Sequence, residues 1–266
     1  ENHLPLLRFA NVIKKPVVMA AYDWFMTGLY VVTPNSKFAS LVEALSDANF
    51  NKFANDVLNS FNTGLEKLEV ETIPLEEYVS DPQMLESVSE KLHKDPDVRI
   101  VLDDLGVTAA LIDGHELALK PYSYHSSDNG KLVKFELDEE SDGSRRLIDY
   151  IPLFQILTSD ATVFIDEFER SIHPSLLKAM VRKLLGPDSN IKGQLIFTTH
   201  DCNLLDQSIF RQDEIWFVEK KEGKTTMYPL TDFQIRQELD IKKGYINGRF
   251  GAIPFLGDLD NLNWKY

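Results

Sequence analysis

The stretch from Thr162 to Thr199 constrains the fold more than any other part of the chain. "TVFIDEF" is a continuous apolar run ending in acids, and "GQLIFTTHD" is a second such run. Between them, "SLLKAMVRKLL" has the apolar spacing of an amphipathic helix and is closed by Gly186–Pro187. Short apolar runs without alternation are strands buried on both faces. A strand, a helix and a second strand make a right-handed βαβ unit, which sets the two strands parallel in one sheet. The expected class is therefore α/β.

In open parallel sheets, ligands sit beyond the carboxyl ends of the strands. Asp166 and Glu167 leave one such end, and Thr199, His200 and Asp201 leave the next. One carboxylate there can hold Mg²⁺, which takes few protein oxygens and keeps several waters. The second can orient or deprotonate a water, and a histidine can donate to a phosphate oxygen. The plainer alternative is that the acids and His200 only cap the segments that follow them. A third element precedes the pair. In "DEESDGSRRL", Ser141, Gly143 and Ser144 open a helix and offer hydroxyls and backbone N–H groups to an anion. By spacing alone this is a plain N-cap, with Ser141 or Asp142 as the capping residue.

The rest of the chain reads more coarsely. "AAYDWFMTGLYVVTP" is a short helix running into a strand, Leu29–Val32, and a turn at Pro34. In residues 37–61, Leu41, Leu45, Phe50, Phe53, Val57 and Phe61 form the buried stripe of one or two helices ended by Gly64. A charged, strand-like segment covers Leu65–Ile73, and a polar helical stretch covers Glu76–Lys94. We expect residues 37–97 to be a helical insertion between a core segment, 1–36, and a C-terminal lobe, 98–266. Within that lobe a hairpin turns at Asp128–Gly130, and a helix register from Leu147 to Ile156 is interrupted by Pro152. A second hairpin turns at Glu222–Gly223.

Composition removes some function classes. The net charge is −14 and the pI about 4.9, so the chain as a whole is not built to bind a phosphate backbone. Arg145–Arg146 and Lys242–Lys243 with Arg249 are the candidate basic patches; Arg145–Arg146 otherwise form a solvated helix face. No apolar run is long enough to cross a bilayer. The single cysteine, Cys202, excludes an internal disulfide framework and fits a cytoplasmic protein. His3, His93, His115 and His125 show no metal-ligand spacing. Trp24, Trp216 and Phe217 are expected in the core, and the glycine-rich Gly244–Phe255 as a strap packed on the sheet, with a partner-binding loop as the alternative.

Taken together, these motifs resemble those of ABC-type ATPase heads, which are related to SMC proteins. "TVFIDEFERSIHPSL" is similar to a Walker B strand with its catalytic glutamate and D-loop, "LIFTTHD" to the switch-histidine loop, and "ESDGSRRL" to a shortened signature helix. The "IHP" form, the tail from Ile215 to Leu259 and "YDWFMTGLYVVTP" resemble the AAA-family ATP-binding proteins of phage defence, of the AbiL, Septu PtuA and retron-associated types. The resemblance covers most of residues 98–259 and, less closely, 1–34. It implies an ABC/SMC-like head with a mostly parallel sheet core, and ATP with Mg²⁺ as cofactors. It places Asp166 on the metal, Glu167 on the attacking water and His200 on the γ-phosphate. Ser141, Gly143 and Ser144 would meet the nucleotide of the opposite subunit, with Ser171 and His173 in the D-loop at that interface. It implies a head-to-head dimer or higher oligomer, a separate effector such as a nuclease, and nucleic acid engaged only through the whole assembly; no membrane partner is implied.

Such an enzyme needs a phosphate loop, G-x-x-x-x-G-K-[ST]. The triplet Gly223-Lys224-Thr225 lacks the first glycine, since position 218 is Val218, and "NGKL" ends in Leu132 in place of a hydroxyl. The loop is expected N-terminal to these residues, and the chain alone is expected to hold ATP poorly. Two other readings remain. One is a silent scaffold or sensor that sequesters an effector. The other is an SMC-like repair ATPase, although Lys37–Lys94 is too short and irregular for long coiled coils.

Overall fold

The structure, a computed structural model, describes residues 16–34, 36, 41–61, 63–103, 105–187, 189–235 and 240–253. His3 and the end of the expected strap and tail lie outside the described residues.

A three-stranded parallel sheet carries the motif-bearing strand ends. It has the order β1 (Leu29–Val32, which follows the helix α1, Pro16–Asp23), β7 (Thr162–Ile165), β8 (Gln194–Phe197). Val32 lies opposite Ile165, and Ile165 opposite Phe197, so all three strands end level. The helix α7 (Pro174–Leu184) links β7 to β8, as the sequence implies for a βαβ unit. Gly193 makes the return to β8 possible. A Cβ there would lie 2.2 Å from the Ala161 carbonyl oxygen.

The helix α6 (Asp142–Ile156) precedes β7 and presents Leu147, Ile148, Ile151 and Leu153 to the core. Pro152 does not interrupt it, contrary to the expectation from sequence. Proline removes one helical hydrogen bond, but Pro152 is itself buried among the apolar residues of this face, and burial offsets the loss.

Residues 37–97 are not purely helical. Helices α2 (Leu41–Ser46) and α3 (Ala48–Ser60) are followed by a ten-residue strand, β2 (Leu65–Pro74), then α4 (Leu75–Tyr78) and α5 (Pro82–Lys94). β2 pairs antiparallel with β5 (His115–Ser126) from Leu65 to Pro74. With β3 (Ile100–Val101), β4 (Thr108–Ile112) and β6 (Leu132–Glu136) they form a five-stranded antiparallel sheet, which runs across the 97/98 boundary read from sequence. On α3 the buried stripe is Phe50, Ala54 and Leu58, a strict four-residue spacing, and Phe53 stays exposed.

One apolar core joins these layers. It unites Val163 and Ile165 of β7, Leu147 and Ile151 of α6, Leu177 and Val181 of α7, Leu45 and Leu58 of α2 and α3, and Leu65 and Leu68 of β2. A separate cluster holds the hairpin β9 (Trp216–Lys221) and β10 (Lys224–Pro229) to α8 (Ile241–Ile246) through Phe217 and Phe250. Trp216 points outward, since neighbours on a strand face opposite ways, and Trp24 is also exposed; only Phe217 takes the expected core place. At the hairpin turn Glu222 and Gly223 both have positive φ, the signature of a tight two-residue turn. Thr225 therefore lies in a strand, and the Gly-Lys-Thr triplet is a hairpin tip.

Candidate active site at the strand ends

β7 ends at Ile165, and the next residue keeps its place in the sheet: the Asp166 N–H donates to the Val32 carbonyl over 2.8 Å. The chain then turns at Glu167, whose φ of 51° lies in the left-handed region that side chains avoid. Phe168 pins the turn. It is fully buried, with its ring 5.1 Å from both Tyr150 and Phe197. Strained backbone of this kind persists only where its surroundings over-determine it.

Thr198, the first residue past β8, locks the acids in place. Its hydroxyl donates to Asp166 Oδ1 over 2.5 Å and accepts the Glu167 N–H over 2.9 Å. Its carbonyl accepts the Phe168 N–H over 3.0 Å, and its own N–H donates to the Ile165 carbonyl. The two carboxylates are partly exposed at the level where β1, β7 and β8 all end. Arg170 approaches Glu167 only to 3.9 Å, with both side chains near half exposure, so this pair holds Glu167 weakly.

His200 follows on the β8 side with an exposed side chain, and its backbone N–H donates to Glu169 Oε1 over 2.8 Å. Thr198, Thr199 and His200 thus stand against the turn that carries Asp166, Glu167 and Glu169. Thr198 and Glu169 were not singled out from sequence. Both lie inside the quoted motifs, but their roles come from contacts across more than thirty residues.

The serine turn meets this assembly from the other side. Ser141 is the N-cap of α6, its hydroxyl accepting the Ser144 N–H over 3.1 Å and lying 2.9 Å from the Ser144 hydroxyl. Gly143 touches the segment after the acids, where a Cβ would lie 2.8 Å from the Ser171 carbonyl oxygen. Ser171 itself has a φ of 61°. His173 caps α7 through Nδ1, which accepts the Ser175 N–H over 3.2 Å, so the proton of the neutral ring sits on Nε2. The fold therefore brings Ser141, Gly143, Ser144 and Ser171 together on one side and Asp166, Glu167 and His200 at the strand tips.

Arg146 is neither a solvated helix side chain nor a free contact. It is buried, its Nε donates to the Tyr150 hydroxyl over 3.0 Å, and its guanidinium nitrogens donate to the Ser36 and Thr33 carbonyls. The Tyr150 hydroxyl in turn donates to the Phe168 carbonyl over 3.2 Å, and burial pushes its pKa up. Arg146 thus ties the end of β1 and the serine helix to the acid-bearing turn. Arg145 pairs instead with Asp142. The other candidate basic residues are also engaged: Lys242 donates to Asn203, Lys243 faces Asp240, and Arg249 donates to the Gln234 carbonyl.

Among the described residues, no group of three or more His, Cys, Asp or Glu side chains could by itself hold a metal ion. The donor set fits Mg²⁺ rather than a caged transition metal: a partly exposed carboxylate, held on one oxygen by a neutral hydroxyl, leaves room for water. No described helix is long and apolar enough to cross a membrane.

No curated protein matches the chain. A family model does match residues 39–206, a span that begins before α2 and ends after His200, and so contains every motif of the site. That span is more than half of the 266 residues, and the chain belongs to the family described as AAA domain, putative AbiEii toxin, type IV toxin–antitoxin system.

Proposed function

We propose that the chain is the part of an ABC-type ATPase head that carries the hydrolytic acid, the switch histidine and the surface facing a second head. The phosphate loop would come from chain preceding these residues. The observation that supports this best is the Thr198 hydroxyl, which holds the Asp166 carboxylate and the Glu167 amide at one strand tip. That arrangement separates two roles for neighbouring acids. Asp166, held by the Thr198 hydroxyl, would hold Mg²⁺. Glu167, turned aside by its positive φ and bound only weakly, would take the proton of the attacking water. Mg²⁺ with ATP supplies charge neutralisation on the phosphates. His200 would donate to the γ-phosphate. Ser141, Gly143, Ser144, Ser171 and His173 would face the partner head. The cycle would gate a separate effector, such as a nuclease or toxin, in phage defence in the cytoplasm.

The test is ATP hydrolysis by the full-length protein, phosphate loop included, against Glu167→Gln, with the oligomeric state read in parallel. The expected result is turnover by wild type, a loss of about a hundredfold or more in the variant, and accumulation of a nucleotide-bound dimer. If neither protein turns over and the assembly ignores ATP, the chain is a scaffold with an ATPase fold.

A further inference from the structure

Glu169 lies in the middle of the site, yet no chemical step needs it. Its Oε1 accepts the backbone N–H of His200 over 2.8 Å. Its Oε2 is buried and has no partner among the described residues. Its own carbonyl accepts the Ile172 N–H over 2.9 Å, which closes the turn that holds Ser171 with its φ of 61°. Ser171 then packs its carbonyl against Gly143. The one turn Glu169–Ile172 thus touches the His200 loop through Glu169 and the serine turn through Ser171.

We infer that Glu169 is a positioning residue, which tethers the backbone of the His200 loop to the segment that packs on the serine turn. A carboxylate acceptor for one backbone N–H is a strong tether, about twice as strong as a neutral one. It fixes the direction in which the His200 side chain leaves the chain, without touching that side chain. It also passes displacement of the Ser171 segment, on the side facing a second head, to the histidine on the side facing the nucleotide of its own head. The work is done by the oxygen at Oε1 as an acceptor. The second oxygen has no hydrogen-bond partner among the described residues, so the tether runs through Oε1 alone. The catalytic half of the inference rests on the ATPase reading above; the tether itself does not.

The experiment compares the full-length wild type with Glu169→Ala and Glu169→Gln. It reads amide hydrogen exchange at His200 by NMR and steady-state ATP hydrolysis. Glutamine keeps the acceptor and alanine removes it. In Glu169→Ala the His200 amide should exchange about tenfold faster or more, as expected on losing a charge-assisted hydrogen bond, and kcat should fall about tenfold with KM nearly unchanged. Glu169→Gln, which keeps a weaker neutral acceptor, should lie between the two and closer to wild type in both. Unchanged exchange at His200 in a folded Glu169→Ala overturns the tether. A Glu169→Gln protein as impaired as Glu169→Ala overturns the acceptor role and makes the charge the working part. A wild type without ATPase activity, but with the exchange pattern as expected, removes the catalytic reading and leaves the tether standing.

Discussion

Gly143 and Ser141 sit two residues apart, but physics gives them different tasks. The Ser141 hydroxyl satisfies one of the free N–H groups at the start of α6, so Ser141→Ala should cost about 1 kcal/mol, the usual value of such a cap. Gly143 is needed for space. A methyl group there would press on a backbone carbonyl of a strained residue, which cannot swing away as a side chain tip could. Gly143→Ala should therefore cost more, roughly 1–3 kcal/mol as for other overpacked sites, and it should push the Ser171 segment off the helix. Urea unfolding of both variants checks the order. Equal losses, or a smaller loss for Gly143→Ala, would show that the contact yields without strain.

At the scale of elements, α7 is held to the loop after His200 by charge. Lys178 lies 2.7 Å and Arg182 3.4 Å from Asp206, whose pKa is driven well down, first by Lys178 and then by the Ser208 hydroxyl and N–H. A carboxylate with a depressed folded-state pKa stabilises the fold above its unfolded pKa of about 3.9, and that stability is lost as pH falls through the lower folded value. The wild type should lose stability below about pH 4, and Asp206→Asn should be less stable at neutral pH and show a shallower acid slope; parallel denaturation curves at pH 7 and pH 3 would show it. The strand–helix–strand unit that α7 completes was legible because its signals are local: two apolar runs and a helical spacing. The helix α6 was legible except at Pro152, where the rule for exposed helices gave way to burial. β2 was recognised as strand-like yet assigned to a helical region, because its partner β5 lies some fifty residues on and its exposed side is charged: Glu66, Lys67, Glu69 and Glu71. Within the candidate site, the places of Asp166, Glu167 and His200 at the strand ends could be read from the apolar runs that precede them. Thr198, Glu169 and buried Arg146 could not, because each is defined by a partner distant in sequence.

For the whole molecule, the question is how the antiparallel sheet and the motif-bearing layer keep a fixed relation. The shared apolar core joins them, but apolar contact is non-directional. Glu140 supplies direction. It directly precedes the cap residue Ser141, its side chain is 4% exposed, and its Oε1 lies 2.5 Å from the Ser123 hydroxyl and 2.6 Å from His125 Nε2. Ser123 and His125 are neighbours on one face of β5, the strand that pairs with β2, β4 and β6. The start of α6 is thereby fastened to the middle of the antiparallel sheet by a buried polar bridge, with the His125 ring set edge-on against Phe135. Removing the carboxylate leaves the fully buried Ser123 hydroxyl without its main acceptor, at a cost of about 2 kcal/mol or more. Glu140→Ala should lower Tm by at least roughly 4 °C for a chain of this size. The exposed neighbour Asp138→Ala should leave it within about a degree, since surface substitutions away from such features change little. Melting should remain one transition in both variants, because the core cluster runs through both layers. A Glu140→Ala protein that melts with wild type would mean that apolar packing alone sets the relation of the layers. A Tm loss together with faster amide exchange at Ser144 would mean that the cap of the serine helix is held in place from the antiparallel sheet, so that any ligand or partner displacing that sheet would be felt at the site.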